Sequence, residues 1–152
     1  MTYTFSDTLF NLLVEFEGLK LNPYLDTAGV PTIGVGTIVY PNGKKVTMQD
    51  KPITREQAKQ YALDHATKIT LPALNKGLKV PQTQNQIDAI GSLVYNIGNQ
   101  AFLDSTVLKR INAKDSIENI KEAWYRWNKS GGKITKGLVI RREKEFNFYI
   151  KK

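Results

Sequence analysis

Cysteine is missing from this 152-residue chain, and histidine occurs once. Disulfides therefore contribute nothing, and the chain folds as readily in a reducing cytosol as in an oxidising space. A cysteine nucleophile is excluded and the ligands of a transition-metal site are too few, so neither metal nor cofactor is expected. Long apolar runs are missing too: no stretch approaches the ~20 apolar residues that span a bilayer. Acids are in deficit. Fourteen Asp and Glu against 22 Lys and Arg leave a net charge of +8. That balance favours an anionic partner such as nucleic acid, a phospholipid surface or an acidic cell wall, without choosing among them.

What is present is ordinary globular composition, 41% hydrophobic and 24% charged, in a chain long enough to bury a core as one domain over 1–152. The opening MTYTFSDTLFNLLVEFEGLK is apolar enough to suggest a targeting segment. It lacks an early basic region, however, and Asp7, Glu15 and Glu17 interrupt it. Phe5, Leu9, Leu12, Leu13 and Phe16 recur at helical spacing and predict an amphipathic core helix over 4–17, opened by Thr4 and Asp7 as a capping box. The expectation is a chain with no signal peptide and no transmembrane anchor.

Residues 21 to 46 change character. Glycines and prolines punctuate short β-prone runs, and Pro41-Asn42-Gly43-Lys44 signals a hairpin turn, so a small antiparallel sheet of two or three strands is predicted. Helical patterns follow. Thr54 and Gln57 cap a helix carrying Ala58, Tyr61, Ala62, His65 and Ile69 on one side and stopping before Pro72. Thr83 and Gln86 stand near the start of another, with Ile87, Ile90, Leu93, Val94 and Ile97 inward and Gly98 at its end. Further helices are expected over about 105–112, 116–127 and 137–149, with Trp124 and Trp127 as core anchors and His65 structural or solvated. The fold class is α+β: a β-containing lobe over about 18–55 and a helical lobe over about 56–152, with the first helix beside both.

Three polar side chains stand at the helix–sheet junction, in EGLKLNPYLDTAGVPTIGVGT. Glu17 closes the first helix, where the negative end of the helix dipole opposes a carboxylate. Asp26 precedes the turn TAGVP, and Thr32 begins the next strand, on which a short hairpin sets it beside Asp26. Two acids on opposite walls of a groove suit glycoside hydrolysis, one protonating the leaving oxygen and the other serving the opposite face of the sugar. A solvated helix-end acid, a turn-forming Asp and a strand Thr explain the same residues without chemistry.

The spacing Glu17, eight residues, Asp26, five residues, Thr32 resembles the signature of phage-type, T4-like lysozymes, a family of muramidase endolysins. FEG, Tyr24 and TIGVGT around it are also similar, as are QIDAIGSLVYNIG, FLDSTVLKRIN and W…GGKITKGLVIRRE further on, so the resemblance runs along essentially the whole chain. It implies a lysozyme-like fold with the active-site cleft between a small sheet lobe and a larger helical lobe. It implies Glu17 as general acid, Asp26 orienting or activating the attacking water, and Thr32 assisting. Inversion would set the two carboxyls about 6.5–9.5 Å apart. The resemblance also implies that Arg141 or Arg142 is the charge partner of Glu17, and places Ile38, Tyr95, Asn96, Phe102 and Ser105 along the substrate groove, with ordinary core as the alternative for Tyr95 and Phe102.

The substrate so implied is the peptidoglycan glycan strand, hydrolysed at the β-1,4 link between N-acetylmuramic acid and N-acetylglucosamine. Lytic transglycosylase action or a non-catalytic wall-binding or phage structural role are the alternatives. The anionic cell envelope is the partner that the charge suits, and nucleic acid has no reading motif here. A monomer is expected, held in the host cytoplasm before lysis and acting at the cell wall once a holin-like permeabilising partner gives access.

Overall fold

The computed structural model describes residues 2–152. The first helix, α1 (Asp7–Glu17), buries Leu9, Phe10, Leu12 and Leu13 and ends at Gly18, whose φ of 81° suits glycine. Its N-cap is Ser6 rather than Thr4, and the expected capping box is not formed. The reason lies in another helix. Asp88, fully buried on α4 (Gln84–Ile97), accepts both the backbone N–H and the hydroxyl of Ser6 and so fixes where α1 begins. Upstream, Phe5 packs its ring against Gly91 of α4, where a Cβ would lie only 2.4 Å from Cε1.

After Gly18 the chain runs out as β1 (Lys20–Leu25) and returns as β2 (Pro31–Gly34), antiparallel, with Tyr24 opposite Thr32 and Leu25 opposite Pro31. Two isolated bridges, Ile33 to Thr37 and Val39 to Lys45, extend this lobe, and the turn expected at 41–44 lies within the second, with Gly43 at φ 89°. Ile33, Val46, Ile53 and Ala58 form its small core. A second apolar cluster, built on Leu9, Phe10, Leu13, Val35, Ala62 and Ala66, ties α1 to the β lobe and to the helical segment that follows it.

Helix α2 (Arg55–His65) starts from the predicted capping box, Thr54 and Gln57 exchanging side-chain and backbone hydrogen bonds. It does not stop before Pro72. The chain passes through a π-helical turn at Ala66–Thr70 directly into α3 (Leu71–Gly77), where proline in the first turn needs no amide hydrogen. The wider turn shifts the helical register, and Ile69, expected on the inner face, is 53% exposed. Thr83 and Gln86 cap α4 as a second box, and Gly98 ends it.

Beyond α4 come α5 (Asn99–Leu103), α6 (Thr106–Asn112) and α7 (Ile117–Tyr125), then a two-residue hairpin of β3 (Lys129–Ser130) with β4 (Lys133–Ile134), and finally α8 (Lys136–Tyr149). The largest core surrounds α4. Within it Phe146 stacks on Tyr149, and Trp124 meets Phe146 edge-on and Tyr149 at a tilt, at centroid distances of 5.1–5.5 Å. Burying a ring such as Phe146 contributes about 1.5–3 kcal/mol before packing terms. Trp127 departs from expectation. Because α7 ends at Tyr125, the i, i+3 spacing no longer sets it under Trp124, and it is only half-buried.

Burial pushes the Asp88 carboxyl above its ordinary value of 3.8, and the bonds from Ser6 and Gln84 pull the other way without cancelling it. A group raised by folding lends stability that is complete below the unfolded value and is lost as pH rises through the folded one. Compared with Asp88→Asn, which does not titrate, the wild type should therefore gain relative stability as pH falls toward 3.8. Urea denaturation of both proteins at stepped pH measures it, and a pH-independent difference would contradict it.

Candidate active site

Glu17 is the last residue of α1, and its side chain is 32% exposed at the rim of a cleft of about 860 Å³. The cleft runs between the ends of α1 and α4, the β3–β4 hairpin and α8. Asn96, Trp127, Ser130, Thr135 and Arg141 line it with Glu17. The helix dipole penalty at Glu17 is offset by a cation, and that cation is Arg141: Nη1 donates to Glu17 Oε1 at 2.6 Å. Arg142 points elsewhere, as the ~100° turn between adjacent helical residues requires.

Arg141 is 5% exposed and every edge of its guanidinium is held. Nε donates to Glu145 Oε2 at 3.1 Å, Nη2 donates to the Ser92 carbonyl at 3.0 Å, and the plane lies over the Phe16 ring at 4.9 Å. Glu145 is fully buried, and it also accepts from the Ser92 hydroxyl at 2.6 Å and from the Trp124 indole at 3.1 Å. Neither Glu145 nor Ser92 was singled out from sequence. The available signals were the i, i+4 and i, i+3 spacing of Glu145 from the two arginines, and a hydroxyl on the otherwise apolar inner face of α4.

Asp26 follows β1 at the mouth of its hairpin. Its Oδ1 accepts from the backbone N–H groups of Ala28 at 2.8 Å and Val30 at 2.9 Å, which fix the carboxylate. Among the described residues Oδ2 has no hydrogen-bond partner. Thr32 is not its facing residue: Tyr24 is opposite Thr32, while Asp26 donates its N–H to Val30. Asp26 and Thr32 are therefore diagonal neighbours, and the Thr32 hydroxyl, 2% exposed, donates to the Val30 carbonyl at 2.8 Å. Tyr24 connects the two acids electrostatically. Its phenol is raised above the ordinary value first by burial and then by the charges of Asp26 and Glu17.

The other groove residues divide. Asn96 is exposed and lines the cleft, and Ile38 is 46% exposed on the β lobe. Tyr95 donates its hydroxyl to the Val35 carbonyl at 3.3 Å and meets exposed His65 edge-on, which ties α4 to the β lobe; burial and the nearby Glu17 push its phenol up to about 12. Phe102 is 0% exposed in the helical core, so its ring is not offered to a sugar. Ser105 spends its hydroxyl as the N-cap of α6, accepting from Leu108 N–H and donating to the Phe102 carbonyl. Burial in the α4 core removes Phe102 from the groove, whereas Ser105 lines a smaller cavity of about 410 Å³ that shares Trp127 with the Glu17 cleft. Trp127 and Thr135, not proposed from sequence, stand there instead.

Residues 14–145 match the Phage lysozyme family. The chain belongs to that family. The chain is 40% identical over 135 residues to the endolysin of Bacillus phage PZA, covering 89% of this chain and 50% of that protein, so it spans about half the length of that relative. It superimposes on the endolysin of Escherichia coli O157:H7 phage FAHEc1 with a TM-score of 0.86 at 43% identity, over 97% of this chain and 94% of that one. With a phage P22 lysozyme mutant the TM-score is 0.89 at 33% identity, over 99% and 100%. The lysozyme-like α+β class expected from sequence is thus the observed one.

A lysine at 141 keeps the charge but cannot reach Glu17, Ser92 and Glu145 at once. Arg141→Lys should cost about 1.5–3 kcal/mol of stability, the contribution of a hydrogen bond to a charged group. An unchanged urea midpoint would show that the fold does not depend on the fork.

Proposed function

We propose that this protein is an endolysin that hydrolyses the β-1,4 bond between N-acetylmuramic acid and N-acetylglucosamine in bacterial peptidoglycan. The observation that carries the proposal is Glu17, an acid at a helix end and at the rim of a cleft, held by a buried arginine. Its family membership and its likeness to proteins named endolysin and lysozyme support the same reading.

In this mechanism the Glu17 carboxyl gives its proton to the glycosidic oxygen as the C1–O bond breaks. A water on the opposite face of the ring attacks C1 and passes a proton to Asp26, so the anomeric centre inverts. Asp26 keeps its turn fixed through Oδ1 and presents Oδ2 to the water, with Thr32 beside it on the same hairpin. The Glu17–Arg141 bond of the free protein loosens as sugar fills the cleft, which frees the carboxyl to face the glycosidic oxygen. Ile38 and Asn96 contact the glycan. The +8 charge draws the protein to an anionic envelope. Among the described residues no helix is long and apolar enough to cross a membrane. The proposal includes action as a monomer, accumulation in the host cytoplasm, and access to the wall through a holin-like partner.

Mass spectrometry of soluble products from purified peptidoglycan tests the reading. Wild type should release reducing muramic-acid ends, and Glu17→Gln should release about 10²–10⁴-fold less. Anhydro ends, one water lighter, would make the protein a transglycosylase and remove the role of Asp26. Binding to the wall without products from either protein would overturn the enzyme.

A further inference from the structure

Two adjacent arginines on α8 are buried around one carboxylate. Arg142 is 1% exposed, and its Nε lies 3.3 Å from Glu145 Oε1, in ion-pair contact without hydrogen-bond alignment. Its Nη2 donates to Asn96 Oδ1, and its Nη1 has no hydrogen-bond partner among the described residues. Arginine has no acceptor, so the Asn96 amide must turn its oxygen inward and its NH2 toward the cleft that the residue lines. Arg141, on the other side of Glu145, reaches Glu17.

We infer that Glu145 is a positioning residue that acts on two cleft groups at once, holding Glu17 through Arg141 and the Asn96 amide through Arg142. The inference rests on the muramidase reading of Glu17. Charge makes the arrangement self-consistent: two buried cations face two carboxylates, Glu145 below and Glu17 at the rim. Burial lowers Arg142 to about 10 against the pull of Glu145, so Arg142 remains a cation at neutral pH. Ser92 and Trp124 satisfy the remaining valences of Glu145 and hold it still. In this arrangement Glu145 does not touch substrate. It sets how much of the Arg141 charge is left to hold Glu17, and which end of the Asn96 amide a sugar acetamide meets. Tyr24 and Tyr95, both raised above ordinary tyrosine, also feel Glu17, and Glu15, Lys129 and Lys144 are the other charged groups lining its cleft.

The test is the pH profile of kcat/KM on soluble peptidoglycan fragments for wild type, Glu145→Gln, Arg142→Met and the double variant. Glu145→Gln keeps the shape but leaves the two cations with Glu17 as their one remaining carboxylate. It should lower kcat/KM by about tenfold to a hundredfold and move the alkaline limb to lower pH. Arg142→Met removes a competing cation and should move that limb to higher pH, with a raised KM because Asn96 is released. The double variant, with charge balance restored, should return the limb toward wild type. Loss of thermal stability in every variant with no shift of the limb would reduce Glu145 to a structural role and overturn the inference. If Glu145→Gln fails to fold, the Arg142→Met shift and KM decide alone. An active Glu17→Gln protein would instead remove the muramidase reading itself, whereas an inactive one beside unshifted limbs overturns only the role of Glu145.

Discussion

The contact between Arg141 and Glu17 is the constraint around which the rest of the molecule is organised. It joins the last helix to the end of the first, across 124 residues of chain. Without a cation there, a carboxylate at a helix C-terminus is opposed by the dipole. With an exposed cation the pair would be worth little, because water and salt screen it. Arg141 is buried, and burying it demands a second carboxylate beneath, a serine hydroxyl and carbonyl on α4 and an aromatic face on α1. The polar network thus reaches the core from the cleft without leaving Glu145 an unpaired charge, which would be far more costly than the network itself.

Helix α4 makes this possible. Its inner face is apolar enough to centre the helical core, and three polar residues interrupt that pattern at useful heights. Asp88 near its start fixes where α1 begins, Ser92 in its middle receives Arg141, and Asn96 near its end enters the cleft. Each lies four residues from the next, about one helical turn, so one face of one helix sets the position of α1 and the wall of the cleft together. The β lobe is attached through its packing on Ala58 of α2, the Val35 cluster and the Tyr95 hydroxyl, and it carries the second acid.

Much of the fold was legible because its signals are local. Thr54 with Gln57, and Thr83 with Gln86, exchange hydrogen bonds three residues apart, and Gly98 ends α4 by its own backbone freedom. The errors arose where a distant residue outvoted the local pattern. Thr4 had the capping-box spacing, but Asp88 made Ser6 the cap. Pro72 had the form of a terminator, yet the π-helical turn carried the chain through it and rotated Ile69 outward. Trp127 had core spacing, but α7 stopped two residues short of it.

By itself the sequence determined the helical patterns, the absence of disulfide chemistry, the excess of positive charge and the Glu17, Asp26, Thr32 spacing that marks the family. Tertiary structure alone decided which arginine meets Glu17, that Asp26 and Thr32 sit diagonally rather than opposite, that Phe102 is buried away from the groove, and that Glu145 lies between the arginines. The physical reason is range. Caps, turns and amphipathic faces depend on neighbours three or four residues away, whereas the Ser92–Glu145 and Arg141–Glu17 bonds join residues 53 and 124 apart. Such contacts exist only once the packed core has brought their helices together.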